Sequence, residues 1–253
     1  FNDYAMAENV TARGREILTT MMNFLQKSGA IVIEMDTDGI YFQPPPGVED
    51  TADFQHAIQN VLPEGIEVEL DATYPAMFGY KSKNYALLTH RGEVTLVGAA
   101  LKSRGLEPFQ RDFIHELVSL LLHGRGSLAG ELVEHYRKAI ENREWPLEKF
   151  AKSETLGDSL DVYKRKLSSG SGRRSAAYEL AIASGRDYQA GDQVSFYITG
   201  DRKKVSVVDN SRLLADAPPE RDENIVYYQD KLDELVKKFS AFIETVPSDD
   251  LFA

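Results

Sequence analysis

The chain has 253 residues, 42% of them hydrophobic and 27% charged, a formal net charge of -11 and no cysteine. That size buries a real core in one large domain or two smaller ones, and the missing cysteine excludes a disulfide framework, a zinc knuckle and a thiol nucleophile. No apolar run approaches the roughly 20 residues of a membrane span, and the acidic balance argues against a simple nucleic-acid coat, which needs clustered Lys and Arg.

The chain opens on Phe1-Asn2-Asp3-Tyr4, with no initiator Met, basic region or apolar signal core, so a cut end is expected. Residues 5–28 are predicted helical: Val10, Ile17, Leu18, Met21, Met22 and Leu25 return at helical spacing, and Gly29 supplies a stop. Ile31 to Met35 and Ile40 to Phe42 are short apolar runs around Asp36-Thr37-Asp38-Gly39, a strong hairpin signal, and Pro44-Pro45-Pro46-Gly47 ends the second run. A helix is expected over 50–62, then strands over 66–70, 76–89 and 93–97. The first hundred residues therefore read as an α+β layer with a mostly antiparallel sheet.

Helices dominate beyond about residue 105, at 113–123 and 130–140, separated by Gly124-Arg125-Gly126 and closed by Trp145-Pro146. Ser168-Ser169-Gly170-Ser171-Gly172 has the composition of a flexible loop or linker. A short helix over 175–184 precedes a strand over 194–199, with 203–208 expected to pair with it, and a last helix spans 224–245. Acids gather in 49–53, 216–223 and 230–234. Bases gather at Lys81, Lys83, Lys102, Arg104, Arg111, Lys164-Arg165-Lys166 and Arg173-Arg174, so a locally basic surface on an acidic protein is expected.

The Asp36-Thr37-Asp38-Gly39 turn carries the most chemistry. Two carboxylates two residues apart at a hairpin tip offer hard oxygen donors to Mg²⁺, which takes one or two protein carboxylates and fills its shell with phosphates and water. Asp and Gly are also ordinary tight-turn residues, and spacing alone leaves both readings open. An EF-hand is a poorer fit, because Ile40 and Tyr41 stand where its loop needs an oxygen ligand and a glycine.

Ile33-Glu34-Met35-Asp36-Thr37-Asp38-Gly39-Ile40-Tyr41-Phe42 resembles motif C of the family B DNA polymerases, Tyr-Gly-Asp-Thr-Asp-Ser-Ile-Tyr, with Glu34 where Tyr is common and Gly39 where Ser is common. The resemblance implies that Asp38 is a metal ligand, that Asp36 supports it as the second catalytic carboxylate, and that Thr37 and Gly39 shape the turn. In chain order, Tyr80-Lys81-Ser82-Lys83-Asn84-Tyr85 is similar to the family's Lys-x-Tyr element, which implies duplex contacts by Lys81, Lys83 and Tyr85. Lys83 and Tyr85, at i and i+2, are expected on one face of a strand. Lys102 to Asp112 resembles the segment joining palm to thumb, with Gln110 replacing a usual Arg; there Arg104 and Arg111 are expected at DNA, and an Arg111–Asp112 ion pair is the simpler structural role.

The segment Tyr188 to Ile198 and the Tyr227-Tyr228 pair are similar to family B thumbs, with Lys152, Arg173 and Arg174 as phosphate contacts or solvated charges. The resemblance thus implies a partial palm, residues 1–105, followed by a mainly helical thumb with a small β element, residues 106–253. It further implies an intracellular enzyme using two Mg²⁺ ions, primer-template duplex DNA and dNTPs, which adds nucleotides to a primer 3′ end. Motif A, motif B and the exonuclease domain would belong to an N-terminal portion, and this chain alone is expected to be inactive. A non-catalytic duplex-binding subunit and a degenerate polymerase-like structural protein are the alternatives.

Overall fold

A computed structural model describes residues 3–36, 39–48, 51–103 and 105–243. The chain divides into two compact units, Phe1–Ala99 and Ala100–Ala253. Each is α+β, and among the described residues no helix is long and apolar enough to cross a membrane.

The first unit opens with α1 (Tyr4–Lys27), capped by Asp3, whose carboxylate accepts the Met6 N–H at 3.0 Å. Its far end is a Schellman turn. Gly29 adopts φ +83°, Ala30 N–H donates to Leu25 O and Gly29 N–H to Gln26 O, and Leu25 and Ala30 meet in the core. That turn feeds β1 (Ile31–Met35), which pairs antiparallel with β2 (Ile40–Gln43) through Val32↔Phe42, Glu34↔Tyr41 and Met35↔Ile40. The register slips between Val32 and Glu34, so Ile33 forms a bulge, and Ile31, Ile33 and Met35 remain exposed. Val32, Ile40 and Phe42 point the other way, onto Leu25, Ala30, Met21 and Phe24 of the α1 end and onto Phe54 and Ile58 of α2 (Thr51–Gln59).

Residues 66–70, expected as a strand, form none. The Gln59 amide accepts Val68 N–H and donates to Ile66 O, and Gln55 donates to Val68 O. Two glutamines of one helix thus satisfy the backbone groups that a neighbouring strand would otherwise pair. The expected long strand over 76–89 is a hairpin, β3 (Ala76–Lys81) and β4 (Asn84–Leu88), turning at Ser82-Lys83 and extended by β5 (Val94–Val97) into a three-stranded antiparallel sheet.

The second unit runs α3 (Ala99–Lys102), α4 (Pro108–Leu122), α5 (Ala129–Glu141), β6 (Lys152–Thr155), α6 (Leu160–Ser168), α7 (Ala176–Ser184), β7 (Gln193–Ile198), β8 (Ser211–Leu213) and α8 (Ile225–Lys238). Phe109, Phe150, Trp145 and Tyr228 pack ring to ring with centroids 4.8–6.3 Å apart, so Trp145 is a packing residue at the end of α5. The order β6-β7-β8 corrects the expected partner of β7: residues 203–208 form no strand, while Ser211 to Leu213 pair with Ile198 to Phe196. Helix α8 ends at Lys238, short of the expected 245, and a 3-10 turn over Ser240–Phe242 follows.

The Ser168–Gly172 stretch, expected as a flexible loop or linker, begins as a helix cap. Gly170, at φ +72°, donates to Leu167 O, and Ser171 donates to Lys166 O, a second Schellman cap that closes α6. Gly172 N–H also donates to Lys166 O, and a Cβ on Gly172 would lie 3.1 Å from the Lys166 backbone.

Candidate functional site

Hairpin β1–β2 narrows at Asp36, whose N–H donates to Gly39 O at 3.0 Å, so Asp36 and Gly39 close the turn. Thr37 and Asp38 lie outside the described residues. Two side chains of the β3–β4 hairpin reach this element. The Lys83 ammonium lies 2.7 Å from Asp36 Oδ1. The Lys83 N–H donates to Glu34 Oε1 at 2.8 Å, so one residue is held by its backbone and its side chain on the same strand end. Two residues on, the Tyr85 hydroxyl donates to the Tyr41 hydroxyl at 3.4 Å, with ring centroids 5.2 Å apart, and Tyr74 covers the Tyr41 ring from another side at 6.4 Å.

Lys83 and Tyr85 therefore meet the Asp36 hairpin together, but not from one strand face. Lys83 sits in the turn at φ +60°, and Asn84 takes the strand position opposite Lys81. An L-residue in the left-handed region costs about 1 kcal/mol or more. The hydrogen bond to Glu34 and the ion pair to Asp36 offset that cost, although the pair is 64% and 45% exposed at its two side chains and is itself worth little. Lys81 is exposed and lies over the Tyr80 ring, 5.1 Å from its centroid.

Glu34, Tyr41 and Gly98 complete this arrangement, and sequence reasoning assigned none of them a role. Glu34 stood out only as a departure from the usual tyrosine. Gly98 adopts φ +94° with its Cα face against the Lys83 turn.

The hairpin tip fits a hard divalent cation by donor type, since its side chains offer carboxylate oxygen and neither sulfur nor imidazole. Among the described residues no group of three or more His, Cys, Asp or Glu is gathered for a metal. Asp36 already has an ammonium on one oxygen, so a cation at that oxygen would require Lys83 to withdraw.

The expected DNA-contact residues of the second unit are Arg104, Arg111, Lys152, Arg173 and Arg174. Arg104 lies outside the described residues. Arg111 donates to Leu106 O at 2.6 Å, and Asp112 pairs with Lys149 rather than with Arg111. Lys152 lies 5.7 Å from the centroid of the Phe196 ring and 3.7 Å from Glu154, with little of its side chain exposed. Arg174 pairs with Asp209 at 2.9 Å and Glu179 at 3.5 Å, and these carboxylates hold its guanidinium protonated above its ordinary range. Arg173 is exposed. Gln110, in place of the usual arginine, is buried: its side-chain oxygen accepts the Glu107 N–H at the start of α4.

The comparisons with known proteins agree in kind. A DNA polymerase of Pyrococcus horikoshii is 30% identical over 173 residues, 62% of this chain and 13% of that protein. A DNA polymerase of Thermococcus kodakarensis is 29% identical over 206 residues, 76% of this chain and 12% of that protein. DNA polymerase 1 of Aeropyrum pernix is 25% identical over 219 residues, 82% of this chain and 22% of that protein. The chain thus spans less than a quarter of the length of each of these relatives. The solved family B DNA polymerase of Pyrobaculum calidifontis has a similar fold, with a TM-score of 0.71 and 20% identity, over 96% of this chain and 30% of that one. The family model for DNA polymerase family B matches residues 1–243, and the chain belongs to that family.

Proposed function

We propose that the chain is the C-terminal palm and thumb portion of a DNA-directed DNA polymerase, residues 1–105 being palm and 106–253 thumb. The whole enzyme would add dNTPs to a primer 3′ end on a DNA template, inside the cell. The observation that carries this reading is the convergence of Lys83 and Tyr85 on the hairpin that ends in Asp36. Two sequence elements that resemble family motifs are thereby brought to one place by long-range contacts.

On this reading Asp38 would hold Mg²⁺ with Asp36 in support, a motif A carboxylate of the N-terminal portion completing the set. Bound there, a pair of Mg²⁺ ions would neutralise charge on the attacking and leaving oxygens of nucleotidyl transfer. The chain's own residues orient and grip. Lys83 neutralises Asp36 and fixes its carboxylate, while Tyr85 and Tyr41 form a rigid aromatic wall behind the hairpin. The exposed Lys81 and Arg173 supply charge for phosphates of the primer-template duplex.

Mixing this chain with an N-terminal portion carrying motifs A and B tests the reading directly. Primer extension should be absent with this chain alone and appear on mixing, and Asp38→Ala should abolish it. Extension that survives Asp38→Ala would defeat the assignment. Duplex binding without extension would favour a non-catalytic or degenerate role.

A further inference from the structure

Glu34 departs from the residue common in motif C, and its carboxylate is the acceptor that ties the second hairpin to the first. The contact is specific: Glu34 Oε1 accepts the backbone N–H of Lys83, whose ammonium pairs with Asp36 just past the end of β1. Lys83 has a left-handed backbone, which an L-residue keeps only when its surroundings fix it. A backbone N–H bound to a charged acceptor is a strong anchor for such a turn.

We propose that Glu34 is a positioning residue for the hairpin site: by holding the Lys83 amide it sets the Ser82–Asn84 turn so that the Lys83 ammonium neutralises Asp36. The role rests on the reading of this hairpin as a polymerase metal site. It adds that the carboxylate beside the metal ligand is oriented and neutralised from within the chain, before any duplex or nucleotide arrives. Glu34 acts here through Lys83. A tyrosine at the same position has no acceptor of comparable strength for the amide, so this chain and relatives with tyrosine would secure the turn by different means.

Nuclear magnetic resonance on the isotopically labelled 253-residue chain reads the device without catalysis. In the parent chain the Lys83 amide should exchange slowly and the Lys83 ammonium should give a resolved, slowly exchanging signal. Glu34→Ala should speed Lys83 amide exchange by about tenfold or more, the scale of losing a hydrogen bond to a charged group, and should erase the ammonium signal. Glu34→Gln, which keeps a side-chain oxygen acceptor in the same shape, should restore most of both. The Asp36 amide, bonded to Gly39, is the internal control for an intact hairpin.

Unchanged Lys83 signals in Glu34→Ala would overturn the proposal. Should alanine open the hairpin, the glutamine variant decides: loss of both Lys83 signals with the Asp36 amide still protected overturns it as well. Binding of the same chain to a primer-template duplex is scored separately. No binding, with Lys83 responding as expected, defeats the polymerase reading and leaves the positioning role standing; binding with unresponsive Lys83 signals does the reverse.

Discussion

A Cβ on Gly98 would lie 2.1 Å from the carbonyl oxygen of Lys83 and 2.4 Å from Asn84 Oδ1, so the Lys83 turn is packed against bare backbone. Gly98 follows Val97, which pairs with Tyr85, and its φ of +94° is a conformation that L side chains rarely adopt. Gly98→Ala therefore meets both strain and a backbone clash. It should destabilise the chain by about 3 kcal/mol, checked by urea denaturation followed by circular dichroism. Amide exchange at Lys83 and Asn84 should rise, because the turn must move to admit the methyl group.

Under the polymerase reading the two carboxylates of the hairpin are unequal, because Lys83 already engages Asp36. In the full-length enzyme Asp36→Asn should lower the primer-extension rate by about 10- to 100-fold, the scale of losing a supporting group beside a metal ligand. Asp38→Asn should cost more than that. Equal losses, measured as single-turnover rates at saturating Mg²⁺, would show that Lys83 does not set the two apart.

Local chemistry made much of this fold legible. Helix α1, its Gly29 stop and the Asp-Gly hairpin announce themselves through period and turn residues. What escaped depends on partners distant in sequence. Residues 66–70 look like a strand, yet Gln55 and Gln59 take the bonds that a strand would have made. Strand β6 reads as polar Lys-Ser-Glu-Thr and forms because β7 offers it an edge. Serine and glycine after Leu167 signal flexibility by composition but are a helix cap by geometry. At the site, the alternation Lys81, Lys83, Tyr85 hid a turn inside an apparent strand, and no pattern within either segment pairs Lys83 with Asp36 or Glu34.

Glu107, at the start of α4, is buried, and desolvation raises its carboxyl above the ordinary 4.5 despite its own backbone hydrogen bond and the nearby Lys152 and Lys231. The folded state then holds a proton that the unfolded state has released. Stability from this group is fullest below pH 4.5, falls as pH rises from 4.5 through the raised folded value, and is constant above it. Glu107→Gln removes the titration. The stability difference between variant and parent, taken from denaturation midpoints across acidic to neutral pH, should grow in the variant's favour as pH rises. A difference independent of pH would refute the burial argument.

Tyr228 is fully buried on α8, and its hydroxyl makes two bonds: it accepts Ile198 N–H of β7 at 2.7 Å and donates to Phe150 O at 3.0 Å. One side chain thus joins a helix, a strand and the turn before β6. Burial pushes its phenol well above the ordinary range, so it remains a neutral donor at any working pH. Tyr228→Phe keeps the ring contacts with Phe109 and Phe150 while removing the oxygen, which strands a buried N–H and a buried carbonyl. The cost should be about 2 kcal/mol, from two lost partners rather than one. Urea denaturation of the variant measures it, and amide exchange at Ile198 should accelerate with little change elsewhere in β7. A neutral substitution would mean that water or a backbone shift satisfies both groups, and that packing of the ring alone secures α8 to the sheet.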